Sequence, residues 1–332
     1  MKVLVTGATG FVGSHLAQRL CREGLRVVCL ARATSSLEWL RGLPVETCTG
    51  SLDAPEALPL GEVDAVFHVA GVTRERTPAA YMAANAEATR RLVEAAARRN
   101  PNLKRFLYVS SQAAAGPTPA GAPLDEAAVP RPLPGYGASK LAAERAVLGL
   151  REELPITIVR PPAVYGPRDK NFIPLFRTAQ RWGLAPVVGS PSKQLTLVHV
   201  ADLVEGIWLA ARAEAAVGQT YYIGSGTHTW REIVGALGTA MGTRLHILRL
   251  PGLVARLVGE IGELKWTLTG KPQIVCRRKI RDALQPRWTC TWAKAERELG
   301  YKPKMGLVEG LRQTAEWYAA HGLLRPLPKE NP

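Results

Sequence analysis

The chain has 332 residues, enough for a sizeable core and for two domains or one large domain with a smaller lobe. Apolar residues make up 46% and charged ones 21%, ordinary globular proportions that exclude a disordered, collagen-like or coiled-coil chain. Lys and Arg outnumber Asp and Glu by 43 to 28, and the resulting charge of +15 admits nucleic acid, an acidic membrane surface or an anionic small molecule as a partner without choosing among them. Met1-Lys2 runs directly into Val3-Leu4-Val5 with no basic leader and cleavage site, and no uncharged run reaches the ~20 residues of a spanning helix, so we expect a soluble, cytoplasmic protein. The cysteines, Cys21, Cys29, Cys48, Cys276 and Cys290, lack C-x-x-C spacing; we expect thiols, no disulfide framework and no metal site.

Short β-branched runs at 2–6, 26–31, 65–70, 105–110 and 156–160 alternate with amphipathic Ala/Leu/Arg-rich stretches such as 84–99 and 138–151. Strands alternating with helices predict a parallel sheet covered on both faces, a doubly wound Rossmann-type α/β unit. From about Lys170 the pattern loosens, and Gly189-Ser190-Pro191-Ser192 and Gly224-Ser225-Gly226 are loop signals. We therefore expect a dinucleotide-binding domain over 1–168 together with about 194–224. A smaller C-terminal substrate lobe would take about 169–193 and 225–325, with a last helix at 307–320 and a frayed tail at 326–332.

Thr6-Gly7-Ala8-Thr9-Gly10-Phe11-Val12-Gly13 follows the first strand and opens a helix. Glycines at such a turn let the backbone approach a pyrophosphate at the helix N-terminus, so Gly7, Thr9, Gly10, Phe11, Val12 and Gly13 are candidates for holding a dinucleotide. For NAD the second strand should end in an acid that takes the ribose 2′-hydroxyl. It reads Ala31-Arg32-Ala33-Thr34-Ser35-Ser36 instead, with Arg32 placed as a cation and Ser35 as a donor for a 2′-phosphate, so NADP(H) is favoured over NAD(H). Tyr136 and Lys140 stand four residues apart, on one face of a helix and about 5–6 Å from each other. A cation about 4 Å from a phenol contributes about 4 kcal/mol at an effective dielectric of ~20, which predicts a Tyr136 pKa brought towards neutrality. Ser111 adds a hydroxyl at the C-terminal end of the strand Arg105–Ser110, where ligands bind in open sheets.

With these motifs the chain resembles the extended short-chain dehydrogenase/reductase superfamily over almost its whole length. The matching positions are the T-G-x-x-G-F-x-G turn, His68-Val69-Ala70-Gly71, Asn85, Ser111, Tyr136, Lys140 and the run Arg160-Pro161-Pro162-Ala163-Val164-Tyr165-Gly166-Pro167. The resemblance implies Tyr136 as general acid/base, Lys140 as the group that lowers its pKa and holds the nicotinamide ribose, and Ser111 as the bond to the substrate oxygen. It also implies cofactor contacts from Ser51, Leu52, Val69, Ala70, Gly71, Pro161 and Val164, and a homodimer through the helix bearing Tyr136. Two positions depart from the pattern: Ser51 stands where an acid usually meets the adenine amino group, and Gly71 replaces Ala.

Sugar-nucleotide epimerases and dehydratases of this superfamily carry an Arg-Asp pair where this chain has Leu195-Thr196, and the dehydratase Thr-Asp-Glu triplet is absent, since Gln112 and Ala113 follow Ser111. The C-terminal third, with the apolar segment Leu250–Leu268, then Thr269-Gly270-Lys271-Pro272 and the run Trp292–Pro303, resembles the 3-beta-hydroxysteroid dehydrogenase and dihydroflavonol reductase branch. That branch acts on bulky, largely apolar ketones and alcohols. The expected activity is hydride transfer between a nicotinamide and a secondary alcohol or ketone on a small-molecule substrate. The alternatives are a sugar-nucleotide epimerase using the same residues and a non-catalytic NADP-binding protein. Leu250–Leu268 is open to three readings: a lid over the substrate, a packed helix, or a helix in peripheral contact with a membrane. For the basic stretch Arg277–Lys304 we expect a solvated or substrate-facing surface and no nucleic-acid partner, since aromatic residues do not interleave with its cations. The tryptophans are expected in packing more than in ligand contact.

Overall fold

The structure is a computed structural model that describes residues 1–119, 121–270, 273 and 275–327. Lys271 and Pro272, and the tail from Pro328, lie outside the described residues. Six strands of the first half and its continuation, β1 (Lys2–Thr6), β2 (Arg26–Ala31), β3 (Val45–Thr49), β4 (Ala65–His68), β5 (Arg105–Val109) and β6 (Ile156–Arg160), run parallel. Three short strands follow, β7 (Ala163–Tyr165), β8 (Leu184–Val188) and β9 (Gln194–His199), before β10 (Gln219–Tyr222) returns to pair with β6. The seven-stranded sheet has the order β10-β6-β5-β4-β1-β2-β3. It is the expected doubly wound Rossmann-type sheet.

Both faces are covered, and the alternation of β1 shows how. Val3 and Val5 point into one apolar cluster with Leu16 and Leu20 of α1 (Phe11–Arg22), while Leu4 points into a second with Leu92 and Val93 of the later helix over 88–99. A strand apolar on both sides is what a buried parallel sheet demands, and each fully buried Leu or Val contributes about 1.5–3 kcal/mol. One departure lies in the crossover from β4 to β5 and another in the crossover from β5 to β6. A short α2 (Pro78–Tyr81) leads into a six-residue π-helical turn, Met82–Glu87, and only then into α3 (Ala88–Arg99). The helix carrying Tyr136 and Lys140, α4 (Tyr136–Leu148), begins at Tyr136 itself, two residues before the expected start.

Beyond β6 the chain builds against the C-terminal end of the large sheet. Helix α5 (Ile173–Trp182) precedes β8, and α6 (Val200–Arg212) packs beside α1. Next come β11 (Gly226–Thr229), α7 (Trp230–Ala240) and β12 (His246–Leu250), which pairs with β8. The rest comprises α8 (Gly252–Thr269), α9 (Arg277–Leu284), β13 (Arg287–Trp288), α10 (Ala293–Leu299) and α11 (Leu307–Ala320). Strand β9 sits at the centre of a small sheet with β7, β11 and β13. The segment predicted as apolar from Leu250 is thus a strand end followed by one 18-residue helix.

Candidate functional site

Chain order reverses between β1 and β4, so the loops after these strands open a crevice at the C-terminal sheet edge, where open α/β sheets take ligands. Gly7 lies at φ +71, and a Cβ there would come within 2.7 Å of the Ala70 amide nitrogen. At Gly13 a Cβ would meet the Gly7 carbonyl oxygen at 2.1 Å. Only glycine allows the turn and the helix to close this tightly. Gly10 caps α1 without a side-chain bond, and the first internal acceptance is Ser14 N–H to Gly10 O at 3.0 Å. The amides of Phe11, Val12 and Gly13 at the start of α1 are therefore left for an anion. A cradle that a methyl group would fill, with free amides at its floor, fits a dinucleotide pyrophosphate.

Around this cradle the remaining candidates gather. Thr6 Oγ1 accepts from the Ala70 amide at 3.2 Å and shares a 2.7 Å bond with His68 Nδ1, while His68 Nε2 meets Thr89 Oγ1 at 2.8 Å. Burial holds the His68 imidazole down to about 3, so it stays neutral and pins the loop Val69-Ala70-Gly71 to β1. At the end of β2 Arg32 is exposed, its amide donating to Ser35 Oγ at 3.2 Å. Ser51, in the position of the missing acid, gives its hydroxyl to Asp53 at 3.0 Å, and Leu52 packs against the sheet. Pro161 accepts the Gln112 amide at 2.8 Å, and Val164 pairs with Val198.

Ser111, Tyr136 and Lys140 come together at the ends of β5 and α4. Ser111 caps the short turn Gln112–Ala114, accepting from the Ala113 amide at 3.1 Å. Burial pushes the Tyr136 phenol up to about 12, and a hydrogen bond with Ser111 opposes that shift. This corrects the expectation of a phenol near neutrality. The physical reason is burial, which penalises the phenolate; the ammonium is engaged with β5, Lys140 Nζ donating to the Val109 carbonyl at 2.9 Å and lying 4.3 Å over the Tyr108 ring. Burial lowers Lys140 itself to about 7, partly offset by Glu144.

Two residues of this network had weaker signals in the sequence. Asn85, in the π-helical turn, clamps Val72 through both amide atoms, at 2.8 and 3.0 Å, and donates to Ser139 Oγ at 3.0 Å. It ties the loop beyond Gly71 to α4. Glu144 takes both guanidinium nitrogens of Arg160, at 2.9 and 2.6 Å, with both side chains buried. Its only sequence signal is its place one turn beyond Lys140.

Above Tyr136 opens a narrow cleft of about 30 Å³. Tyr81, Trp266 and Trp288 form aromatic walls, and Arg74, Arg278, Lys279 and Arg281 also line it. Trp266, though buried, and the partly buried Trp288 line the cleft, while Trp182 is 62% exposed. Three bonds close the far side: Arg76 to Thr267 Oγ1 at 3.0 Å, Arg278 to the Arg76 carbonyl at 2.5 Å and Arg281 to the Pro134 carbonyl at 2.7 Å. Arg278 also lies 5.8 Å from the Tyr81 ring and 5.5 Å from that of Trp266. Leu195 and Thr196 are turned elsewhere: Leu195 packs in a core cluster and Thr196 Oγ1 accepts the Cys290 amide at 3.1 Å.

Comparison with known proteins agrees with this geometry. The family model for the NAD dependent epimerase/dehydratase family matches residues 3–224. The chain belongs to that family. It is an enzyme of the extended short-chain dehydrogenase/reductase superfamily. Ceramide reductase of Caulobacter vibrioides (strain NA1000 / CB15N) is 33% identical over 325 residues, covering 97% of this chain and 96% of the relative. The 4-hydroxy-2-methyl-3-oxo-4-farnesyl-3,4-dihydroquinoline-1-oxide ketoreductase of Stigmatella aurantiaca is 29% identical, with 94% and 95% covered. Among solved structures, gox2253 superposes with a TM-score of 0.81 at 30% identity, covering 97% of this chain and 99% of that one. Within the family, the bound nicotinamide supplies or accepts the hydride, and the protein's part is binding, orientation and proton transfer.

Proposed function

We propose that the chain is an NADP(H)-preferring reductase that interconverts a ketone and a secondary alcohol on a bulky, mainly apolar substrate. The carrying observation is the cleft above Tyr136, walled by Tyr81, Trp266 and Trp288 on the side away from the nucleotide cradle. Relatives named for reducing ceramides and a farnesylated ketone support the same substrate class. The lobe over 169–193 and 225–325 supplies Trp266 and Trp288 of that wall, and the domain over 1–168 with 194–224 supplies Tyr81 and holds the cofactor.

Tyr136 donates the proton. A phenol held near 12 remains protonated at neutral pH and is ready to give its proton to a carbonyl oxygen as hydride reaches the carbon. Ser111, bonded to the same phenol, orients the oxygen. Lys140 lies behind them, held by Val109 on β5, where it can meet a ribose hydroxyl and supply charge as the phenolate forms. Arg32 and Ser35 take the 2′-phosphate.

Arg278, Lys279 and Arg281 in the same cleft favour one second reading, a sugar-nucleotide epimerase whose diphosphate they would neutralise. Turnover with NADPH and NADH across long-chain, steroid and isoprenoid ketones, beside a panel of UDP- and dTDP-sugars, separates the two. Ketone-dependent oxidation of NADPH is the expected result. Epimerisation of a nucleotide sugar with no net cofactor oxidation replaces the reductase by the epimerase.

A further inference from the structure

Helix α8 carries its apolar residues on the wrong side for a soluble core. Leu253, Leu257, Ile261, Leu264 and Leu268 recur at helical spacing along one stripe, each between 58% and 77% exposed, with Val254 and Val258 beside them at 42% and 41%. Buried on the opposite face are Ala255, Gly259 and Trp266. That face is committed. A Cβ at Gly259 would meet Ile280 of α9 at 3.0 Å, and one at Gly262 would meet the Val275 carbonyl oxygen at 2.0 Å, so α9 and the residues just before it pack on a glycine surface that no leucine could replace. The helix cannot turn its stripe inward, and Trp266 is the residue of this helix that lines the cleft.

A contiguous exposed apolar stripe marks a contact surface. We propose that α8 lies in the plane of an anionic phospholipid bilayer, with the leucine stripe among the acyl chains and the flanking cations at the headgroups. Charge selects this occupant. Lys265 stands at the edge of the stripe, where a long stem lets an ammonium reach back to a phosphate, and Arg256 and Lys279 are exposed around it. Of the nearby acids, Glu260 is paired with Arg277 at 2.5 Å and Glu263 is 3.9 Å from Arg278. A second copy of the chain fits less well, because apposed stripes would bring two sets of these cations together. Among the described residues no helix is long and apolar enough to cross a membrane; a helix of 18 residues with one apolar side lies on the surface instead. Trp266 projects into the cleft from the face behind the stripe, so docking would set the cleft beside the lipid; the use of this, delivery of an apolar ketone, rests on the reductase reading.

The test is flotation of the full chain with phosphatidylcholine vesicles with and without phosphatidylglycerol. Binding to the anionic vesicles is expected, weakened by salt and lowered about tenfold or more by L257E/I261E. Turnover of a water-soluble ketone should be unchanged in that variant, and L257S/I261S, with milder substitutions at exposed positions, guards against a folding artefact. Absence of vesicle binding by the unmodified chain overturns the proposal, as does binding that both double variants leave intact. A dimer that L257E/I261E dissociates, with no vesicle binding, assigns the stripe to self-association. Vesicle binding without turnover of any ketone sinks the reductase reading alone.

Discussion

Lys140, one turn of helix from Tyr136, donates from its ammonium at 2.9 Å to the carbonyl oxygen of Val109, the last residue of β5 and two residues before Ser111. Helix α4 is thereby bolted to the end of β5, and the hydroxyl of Ser111 and the phenol of Tyr136 share one corner. Burial decides both protonation states: Tyr136 rises to about 12 and Lys140 falls to about 7.

A stability consequence follows for Lys140. Between pH 7 and about 10 the unfolded chain keeps this lysine protonated while the folded chain has released the proton, so the unfolded state binds more protons and stability rises with pH. Denaturant unfolding of the unliganded chain should show this rise, and Lys140→Met should remove most of it. An identical pH dependence in both would show that Lys140 has an ordinary pKa.

Tyr136→Phe should cost about 10²–10⁴-fold in ketone reduction, the usual scale for a positioned proton donor, while NADPH binding stays within a few-fold. The phenol is protonated throughout the neutral range, so the pH dependence of reduction should follow Lys140 and fall as its charge is lost above about pH 7, while alcohol oxidation should climb with pH as phenolate forms. Initial rates in both directions check this; reduction that survives Tyr136→Phe removes the assigned donor.

Arg32→Ala should weaken NADPH binding by about tenfold or more, the scale of a charge-assisted contact to phosphate, and leave NADH within about two-fold. Fluorescence titration of both cofactors decides it, and an unchanged ratio would free Arg32 of the role.

Much of this was legible because it is local. Strands β1, β2 and β6 have their predicted bounds, since each is an apolar run of five or six residues in a buried sheet. Strands β3 and β10 gave no such signal: they are the sheet's two edges, and Val45-Glu46-Thr47-Cys48-Thr49 leaves three of its residues exposed. The cradle glycines could be read from spacing, whereas the ammonium's choice of the Val109 carbonyl is set by tertiary contacts 31 residues apart. Helical periodicity at Leu253–Leu268 was equally visible, but the face it presents was not, because Gly259 and Gly262 reserve the packing side for α9 and the residues just before it.

Glu144→Gln tests how far the site depends on a residue that touches neither cofactor nor substrate. Arg160 is buried with its fork on this carboxylate, and removing the charge leaves a guanidinium with no counter-ion in a low-dielectric setting, a loss of about 3–5 kcal/mol by analogy with other broken buried pairs. Glu144 also favours the charged form of Lys140, four residues away on the same helix face, so its neutralisation should lower that lysine further below 7. Two readouts should therefore move together: the unfolding midpoint falls, and the pH at which the unliganded chain's stability begins to rise shifts downward. A merely structural ion pair would move the first alone. Glu144→Asp keeps the charge but shortens the reach, and it should restore the pH behaviour in larger measure than the stability.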